Sequence, residues 1–449
     1  MQNGGIENDM NYRITRRRAT SVPRPRLAVM LVLVLLSGAV VLLTLFLRQA
    51  AQPAHSAPAS NGQVSQAQAS CSQQSAYRYY TLKQASGFVL ARAERGGLGQ
   101  PIRLPQTVAS FGNDFGQAES DQVFRMQLSP DGCYLAIAAT EDHGDLAWVY
   151  DIQRGTLSPA PTNVMGDFLN WLPGGTGHSF LYRPMLPLGP DAPRVNNAWN
   201  PGLWIVNAAT GAFTNLDIGA PSAMLVDAAP SPDGSRIVYS TSLGLGMGSD
   251  VWMMRGDGSQ VTHLFRLPGG AQSIAGLFAW SPDGSQIAYE RLSDSPVPFL
   301  PAGLWVMSSS GTHSRYLAGT DGGHGYSLAW SPDSTRIAYV VRTNDSDRAA
   351  DYVAQSLQSA IAVVDVQSGA SVLVATTAST GMQLNLNPEW VTNAPGSSLL
   401  LFTASNPFNL VLGGSPRYWS AQVPVSRAQS QSLLEPLTPA LSHVVAVGE

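Results

Sequence analysis

Asp131, Asp233, Asp283 and Asp333 are the residues whose recurrence first suggests chemistry. They lie in "LSPDG" (128–132), "PSPDG" (230–234), "WSPDG" (280–284) and "WSPDS" (330–334). A carboxylate that returns at intervals is either a repeated metal or acid–base site or a repeated structural device. The neighbouring residues favour the second. Pro sets φ near −65° at a central turn position, Asp accepts bonds from local backbone N–H groups, and Gly takes positive φ. One Asp per repeat also spreads the four carboxylates around a ring, where they do not converge on a substrate.

Other chemistry is sparse. "NDSDRAAD" (344–351) has partial calcium-loop spacing in Asp345, Asp347 and Asp351, without the central Gly and terminal Glu of an EF-hand. "EDHGD" (141–145) reads as a polar turn. His178, His263, His313 and His324 form no His-x-x-x-His pair, and no Gly-x-Ser-x-Gly elbow occurs. These patterns assign no catalytic residue, no metal ligand and no cofactor. Cys71 and Cys133 are the only cysteines, and they are candidates for a disulfide if the chain lies outside the cytoplasm.

The elements that would position such residues follow from the repeat. Two eroded copies, "NWLPGGTGHSFLY" (170–182) and "EWVTNAPGSSLLLFT" (389–403), join the four clear ones. Starts are roughly forty to sixty residues apart, the period of propeller blades. Each copy reads as four strands, for example "GYSLAW" (325–330), "RIAYVV" (336–341), "SAIAVVDV" (359–366) and "SVLVATT" (371–377). The third strand echoes as "LAWVYDIQRG", "LWIVNAATG", "VWMMRGDGS", "LWVMSSSG" and "IAVVDVQSG". Many short strands joined by regular turns predict an all-β fold, a β-propeller of four-stranded blades. Residues 77–82, 87–92 and 101–104 read as strands two to four of a blade that lacks its first. "SHVVAVGE" (442–449) is a β-rich stretch after the last complete blade. Joining them closes the ring and hides its edges, which favours seven blades over six.

Trp-Ser-Pro-Asp-Gly, an Ile-Ala-Tyr strand, then Leu-Trp-Val-Met and a Gly turn resemble the TolB-type β-propeller. The pattern also occurs in propellers of prolyl-oligopeptidase relatives. The resemblance covers residues 77–449 and implies the fold, since propellers host binding and catalysis alike. TolB family members are soluble periplasmic proteins with an extra N-terminal domain. This chain instead begins with a basic segment and an apolar run, so the family's partnership with an envelope lipoprotein does not carry over.

Residues 27–47, "LAVMLVLVLLSGAVVLLTLFL", are uncharged and as a helix would rise about 31 Å, enough to cross a bilayer. Arg13, Arg16, Arg17, Arg18, Arg24 and Arg26 precede the run, and only Arg48 follows closely. That asymmetry predicts a single-pass protein with residues 1–26 cytoplasmic and the remainder outside. A cleaved signal peptide is the alternative, although its apolar region is normally shorter, about 7–15 residues. Residues 48–76, rich in Ala, Ser, Gln and Pro, read as a disordered tether before the propeller at 77–449. Seven Arg against Glu7 and Asp9 give residues 1–48 a balance of +5, so the remainder of a chain of net charge −4 carries −9. An acidic outer part is a poor match for nucleic acid.

Length varies on one side of the repeat. The Ser-Pro-Asp turns stay short, while loops between second and third strands expand at 183–202, 242–249, 292–303, 342–358 and 404–416. Loops on one face of a rigid scaffold are where binding usually resides. Arg194, Trp199, Phe299 and Phe408 in these loops are the candidate contacts. The expected role is non-enzymatic recognition of a protein, peptide or envelope glycan. Two alternatives stand beside it: a lyase or hydrolase acting at the central channel, and a sensor signalling through the helix to a partner.

Overall fold

The computed structural model describes residues 77–84, 87–94, 100–101, 123–141, 144–160, 166–174, 178–184, 202–219, 223–244, 246–270, 272–292, 302–320, 328–344, 358–391, 399–405, 417–423, 434–436 and 443–445. The basic segment, the apolar run at 27–47 and the tether lie outside these residues. Among the described residues no helix is long and apolar enough to cross a membrane.

The strands pair as an all-β propeller with four-stranded, antiparallel blades. Six blades are each built from four consecutive strands. Blade 1 comprises Val123–Leu128, Tyr134–Glu141, Gly144–Asp151 and Thr156–Pro159. Blade 2 comprises Gly166–Trp171, Ser179–Pro184, Leu203–Asn207 and Phe213–Leu216. Blade 3 comprises Met224–Pro230, Arg236–Ser242, Ser249–Arg255 and Thr262–Leu267. Blade 4 comprises Ile274–Trp280, Gln286–Leu292, Ala302–Ser308 and Arg315–Thr320. Blade 5 comprises Ala329–Trp330, Arg336–Arg342, Ser359–Asp365 and Ser371–Ala375. Blade 6 comprises Leu384–Val391, Leu399–Ser405, Arg417–Gln422 and Leu434–Pro436. A further four-stranded sheet draws on both ends of the chain: His443–Val445, then Tyr77–Gln84, Gly87–Glu94 and Gln100–Pro101. In it Tyr80 pairs with Val444.

The core lies between blades. One apolar cluster joins blades 1 and 2 through Phe168, Trp171, Phe180 and Val149, and similar layers fill each gap from there to blade 6. Tyr182, Tyr239 and Tyr289, at matching second-strand positions, are fully buried. The Tyr239 hydroxyl donates to the Ile218 carbonyl at 2.8 Å, and burial raises its pKa.

In blades 2, 4, 5 and 6 a tryptophan at the end of the first strand does more than fill space. The indole N–H of Trp171, Trp280, Trp330 and Trp390 donates to a carbonyl of the preceding blade: Gln127 (2.9 Å), Ala229 (3.1 Å), Ala279 (2.9 Å) and Ala329 (3.0 Å). Arg236 and Arg336 stack over Trp280 and Trp390 of the following blade, each 5.0 Å from the ring centre. First strands also carry a bulge that period-2 patterning does not reveal, between Leu225 and Asp227, Gly276 and Ala279, and Leu386 and Glu389. Leu277 and Asn387 take positive φ there, 54° and 53°.

Candidate binding face

Antiparallel connectivity gives each blade two ends. The first-to-second and third-to-fourth turns share the turn face, and the second-to-third loops share the loop face with the crossings between blades.

On the turn face the recurring Asp is held within its own turn. Asp131, Asp233, Asp283 and Asp333 accept the hydroxyl of the Ser two residues earlier, at 2.5–2.6 Å. They also accept the backbone N–H two residues later. The Ser hydroxyl oxygen in turn accepts the N–H that starts the second strand. Gly132, Gly234 and Gly284 take φ near +70°, and Ser334 occupies the same left-handed position in blade 5. The bond from Ser231, with those from Ser235, lowers the Asp233 pKa to about 2. These carboxylates serve as structural acceptors within their own turns.

Asp131, Cys133 and His178 bring one ligand atom each within 4.8 Å of one another. Cys133 is disulfide-bonded, so it offers no thiolate, and Asp131 is already held by Ser129. His178 contacts Asp131 and tilts against the Tyr134 ring at 4.8 Å. The donor set does not fit a metal. A cavity of about 840 Å³ also opens on the turn face, lined by Arg236, Met254, Arg255, Asp257 and Gln260 among others. Its charged groups are partly spent: Arg236 donates to the Ser309 carbonyl at 2.6 Å, and Asp257 accepts Ser259.

The loop face is different. The 242–249 loop of blade 3 alternates Gly with apolar residues, "LGLGMG" at 243–248. Gly244, Gly246 and Gly248 all have positive φ. A Cβ on Gly248 would lie 2.1 Å from the Leu267 carbonyl oxygen, so only Gly lets the loop lie flat against the crossing to blade 4. Ser242 Oγ donates to the Gly248 carbonyl at 2.7 Å, and Arg266 donates to the Met247 carbonyl at 3.0 Å. Arg266 is itself oriented by Asp250, which also holds His263 at 2.9 Å. This pinned loop presents Leu243 (53 % exposed) and Met247 (49 %) to solvent. Met224 (43 %), paired with Ser242 across the first two strands, is exposed at the same end.

Three further carboxylates at this end, among the described residues, are bonded within the fold. Asp167, buried on the first strand of blade 2, pairs with Arg183, which also donates to the Leu225 and Val226 carbonyls of blade 3. Glu290 is buried in blade 4 and accepts the Thr320 hydroxyl at 2.9 Å. Asp227 accepts the Phe278 N–H of the next blade at 2.8 Å. These bonds tie neighbouring strands and crossings together beneath the surface.

Arg194, Trp199, Phe299 and Phe408 lie outside the described residues, as do Cys71 and the 344–351 acidic stretch beyond Asn344. In "EDHGD", Glu141 pairs with Gly144 across the second and third strands of blade 1. Sequence reasoning missed Leu243, Met247 and Met224 because it sought aromatic and charged loop residues. The signal was the Gly alternation, which spaces apolar side chains in a segment too short to bury them.

No protein-family profile matches the chain, and no curated protein matches it. Among solved structures, the chain is similar to a protein described as TolB from Agrobacterium tumefaciens at 19 % identity, covering 57 % of this chain and 83 % of that one, with a TM-score of 0.39. It is also similar to an oligogalacturonate lyase in complex with manganese (13 %; 79 % and 88 %; 0.48). A chain of a nidogen/laminin complex is similar as well (12 %; 67 % and 94 %; 0.40). These are likenesses of fold.

Proposed function

We propose that this chain is a membrane-anchored, extracytoplasmic β-propeller that acts as a non-enzymatic binding module for a protein, peptide or envelope glycan through its loop face. The observation that carries the reading is the 242–249 loop. A short loop held by hydrogen bonds and close Gly packing nonetheless keeps Leu243 and Met247 in water, beside Met224. Loops on a rigid scaffold carry binding residues, and apolar side chains kept in water on such a loop are what a partner would cover.

In this reading residues 27–47 anchor the chain with its N-terminus in the cytoplasm. The sheet drawn from both chain ends serves as a seventh blade that closes the ring. A Cys71–Cys133 disulfide fastens the end of the tether to blade 1.

Photo-crosslinking in the native membrane tests this. A crosslinking residue placed at Leu243 or Met247 in the full chain is expected to trap a discrete partner, and one at Ser285 on the turn face is not. Equal trapping at both faces, or none at 243 and 247, would show that the loop face is not the binding surface.

A further inference from the structure

In blades 1, 2, 4 and 5 the residue that ends the third strand has a structural task. Its side chain caps the turn to the fourth strand by accepting backbone N–H groups. Asp151 accepts Arg154, Asn207 accepts Ala209 and Thr210, Ser308 accepts Thr312, and Asp365 accepts Ser368. Each stands directly opposite the residue that starts the second strand: Tyr134, Ser179, Gln286 and Arg336.

Blade 3 departs from this rule. Its third strand ends in Arg255, which has no acceptor to offer, and the cap moves to Asp257, which accepts the Ser259 N–H at 2.9 Å. Arg255 stands opposite Arg236, so two like charges face each other across the strand pair. That arrangement is destabilising, and blade 5 avoids it by setting Arg336 against Asp365. Among the described residues neither Arg236 nor Arg255 forms an ion pair. Arg236 donates once, to the Ser309 carbonyl at 2.6 Å, and Arg255 is exposed and donates to nothing.

The departure coincides with the cavity of about 840 Å³ at the turn end of this blade, which both guanidiniums line. We propose that this cavity binds a small molecule with an oxyanion head, phosphate or carboxylate, on an apolar body. Two guanidiniums side by side present forked N–H donors that match either head, and an anion between them removes their repulsion. Buried Leu172, Met253 and Met254 also line the cavity and would cover the apolar body. Asp257, the carboxylate of the lining, is held by the Ser259 N–H and hydroxyl. One wall is fixed by close backbone approach, since a Cβ on Gly256 would lie 2.0 Å from the Gly234 carbonyl oxygen. The volume lies within the roughly 300–1,000 Å³ typical of small-molecule sites.

Calorimetric titration of the full chain in detergent tests the site, with phenyl phosphate and benzoate as probes and inorganic phosphate and benzyl alcohol as controls. At least one probe is expected to bind, more tightly than either control, and the tighter probe identifies the head. Arg255→Gln is expected to weaken that binding at least about tenfold, and Arg154→Gln, at the corresponding turn of blade 1, to leave it unchanged. Arg255→Asp, which copies the opposition of Arg336 and Asp365, is expected to abolish binding and raise the denaturation midpoint. No binding of either probe, equal binding by Arg255→Gln, a control that binds as tightly as the probes, or a lowered midpoint in Arg255→Asp would each overturn the assignment. The cavity and the 242–249 loop lie on opposite faces, so this result and the crosslinking result are read independently.

Discussion

The turn face and the loop face are made by the same strands and follow opposite rules. Each full Ser-Pro-Asp turn repeats one hydrogen-bond set in which Ser, Asp and two backbone N–H groups satisfy one another. The loop face repeats little. Among the described residues, Asp167–Arg183 and Glu290–Thr320 tie strands together there, and a glycine-built loop holds apolar side chains outward. Regularity thus accompanies a stabilising role, and irregularity accompanies exposed surface.

That contrast can be broken by mutation. Trp330→Ala removes a buried side chain and its bond to Ala279 between blades 4 and 5, and is expected to cost about 3–5 kcal/mol, read as a lower denaturation midpoint. A mutant within 1 kcal/mol of wild type would mean the inter-blade layers are not what holds the ring. Cys133→Ser is expected to cost about 2–4 kcal/mol in the same measurement, because a cross-link restrains the unfolded chain. No change would show that the bridge contributes little to the fold.

Gly248→Ala should act on the loop face alone. The positive φ and the clash with the Leu267 carbonyl are expected to cost about 1–3 kcal/mol and to abolish crosslinking at Met247. Asp283→Ala removes the acceptor for Ser281 and Ser285 on the turn face, and is expected to cost about 1 kcal/mol while crosslinking persists. If Asp283→Ala silenced the loop face as well, the two faces would not be separable. Leu243→Ser with Met247→Ser is the smallest change for stability, within about 0.5 kcal/mol, and the largest for partner capture.

The turn face also sets a pH dependence. Hydrogen bonds hold Asp233 at about 2 and lower Asp283, through Ser281 first, and Asp365, through the Ser368 N–H first. A carboxyl depressed in the folded state contributes stability that is complete above its unfolded pKa of about 3.9 and is lost as pH falls toward the folded value. The melting temperature should therefore be level above about pH 5 and fall between about pH 4 and 2. Asp233→Asn should make that fall shallower, and an unchanged slope would remove Asp233 from the account.

What could be read in advance followed the same division. Ser-Pro-Asp-Gly carries its conformation in its own residue types, so "WSPDG" at 280–284 and its copies revealed the turn, the blade and the role of the Asp before any contact was known. The pairing of Tyr79–Thr81 with His443–Val445 was legible too, since three strands at one end of the chain and one at the other complete a sheet. The first-strand bulges at Leu277 and Asn387 were not, because they answer the packing of neighbouring blades and no local residue demands them.

The sequence by itself determined the repeat, the four-stranded blade and the saturated turn, because each depends on interactions within a few residues. Tertiary structure alone decided which apolar residues stay in water. Whether Leu243 or Met247 is covered depends on how Gly248 meets Leu267 at the crossing to blade 4. Burial is a property of what the rest of the fold brings alongside, and a short apolar segment carries no record of that.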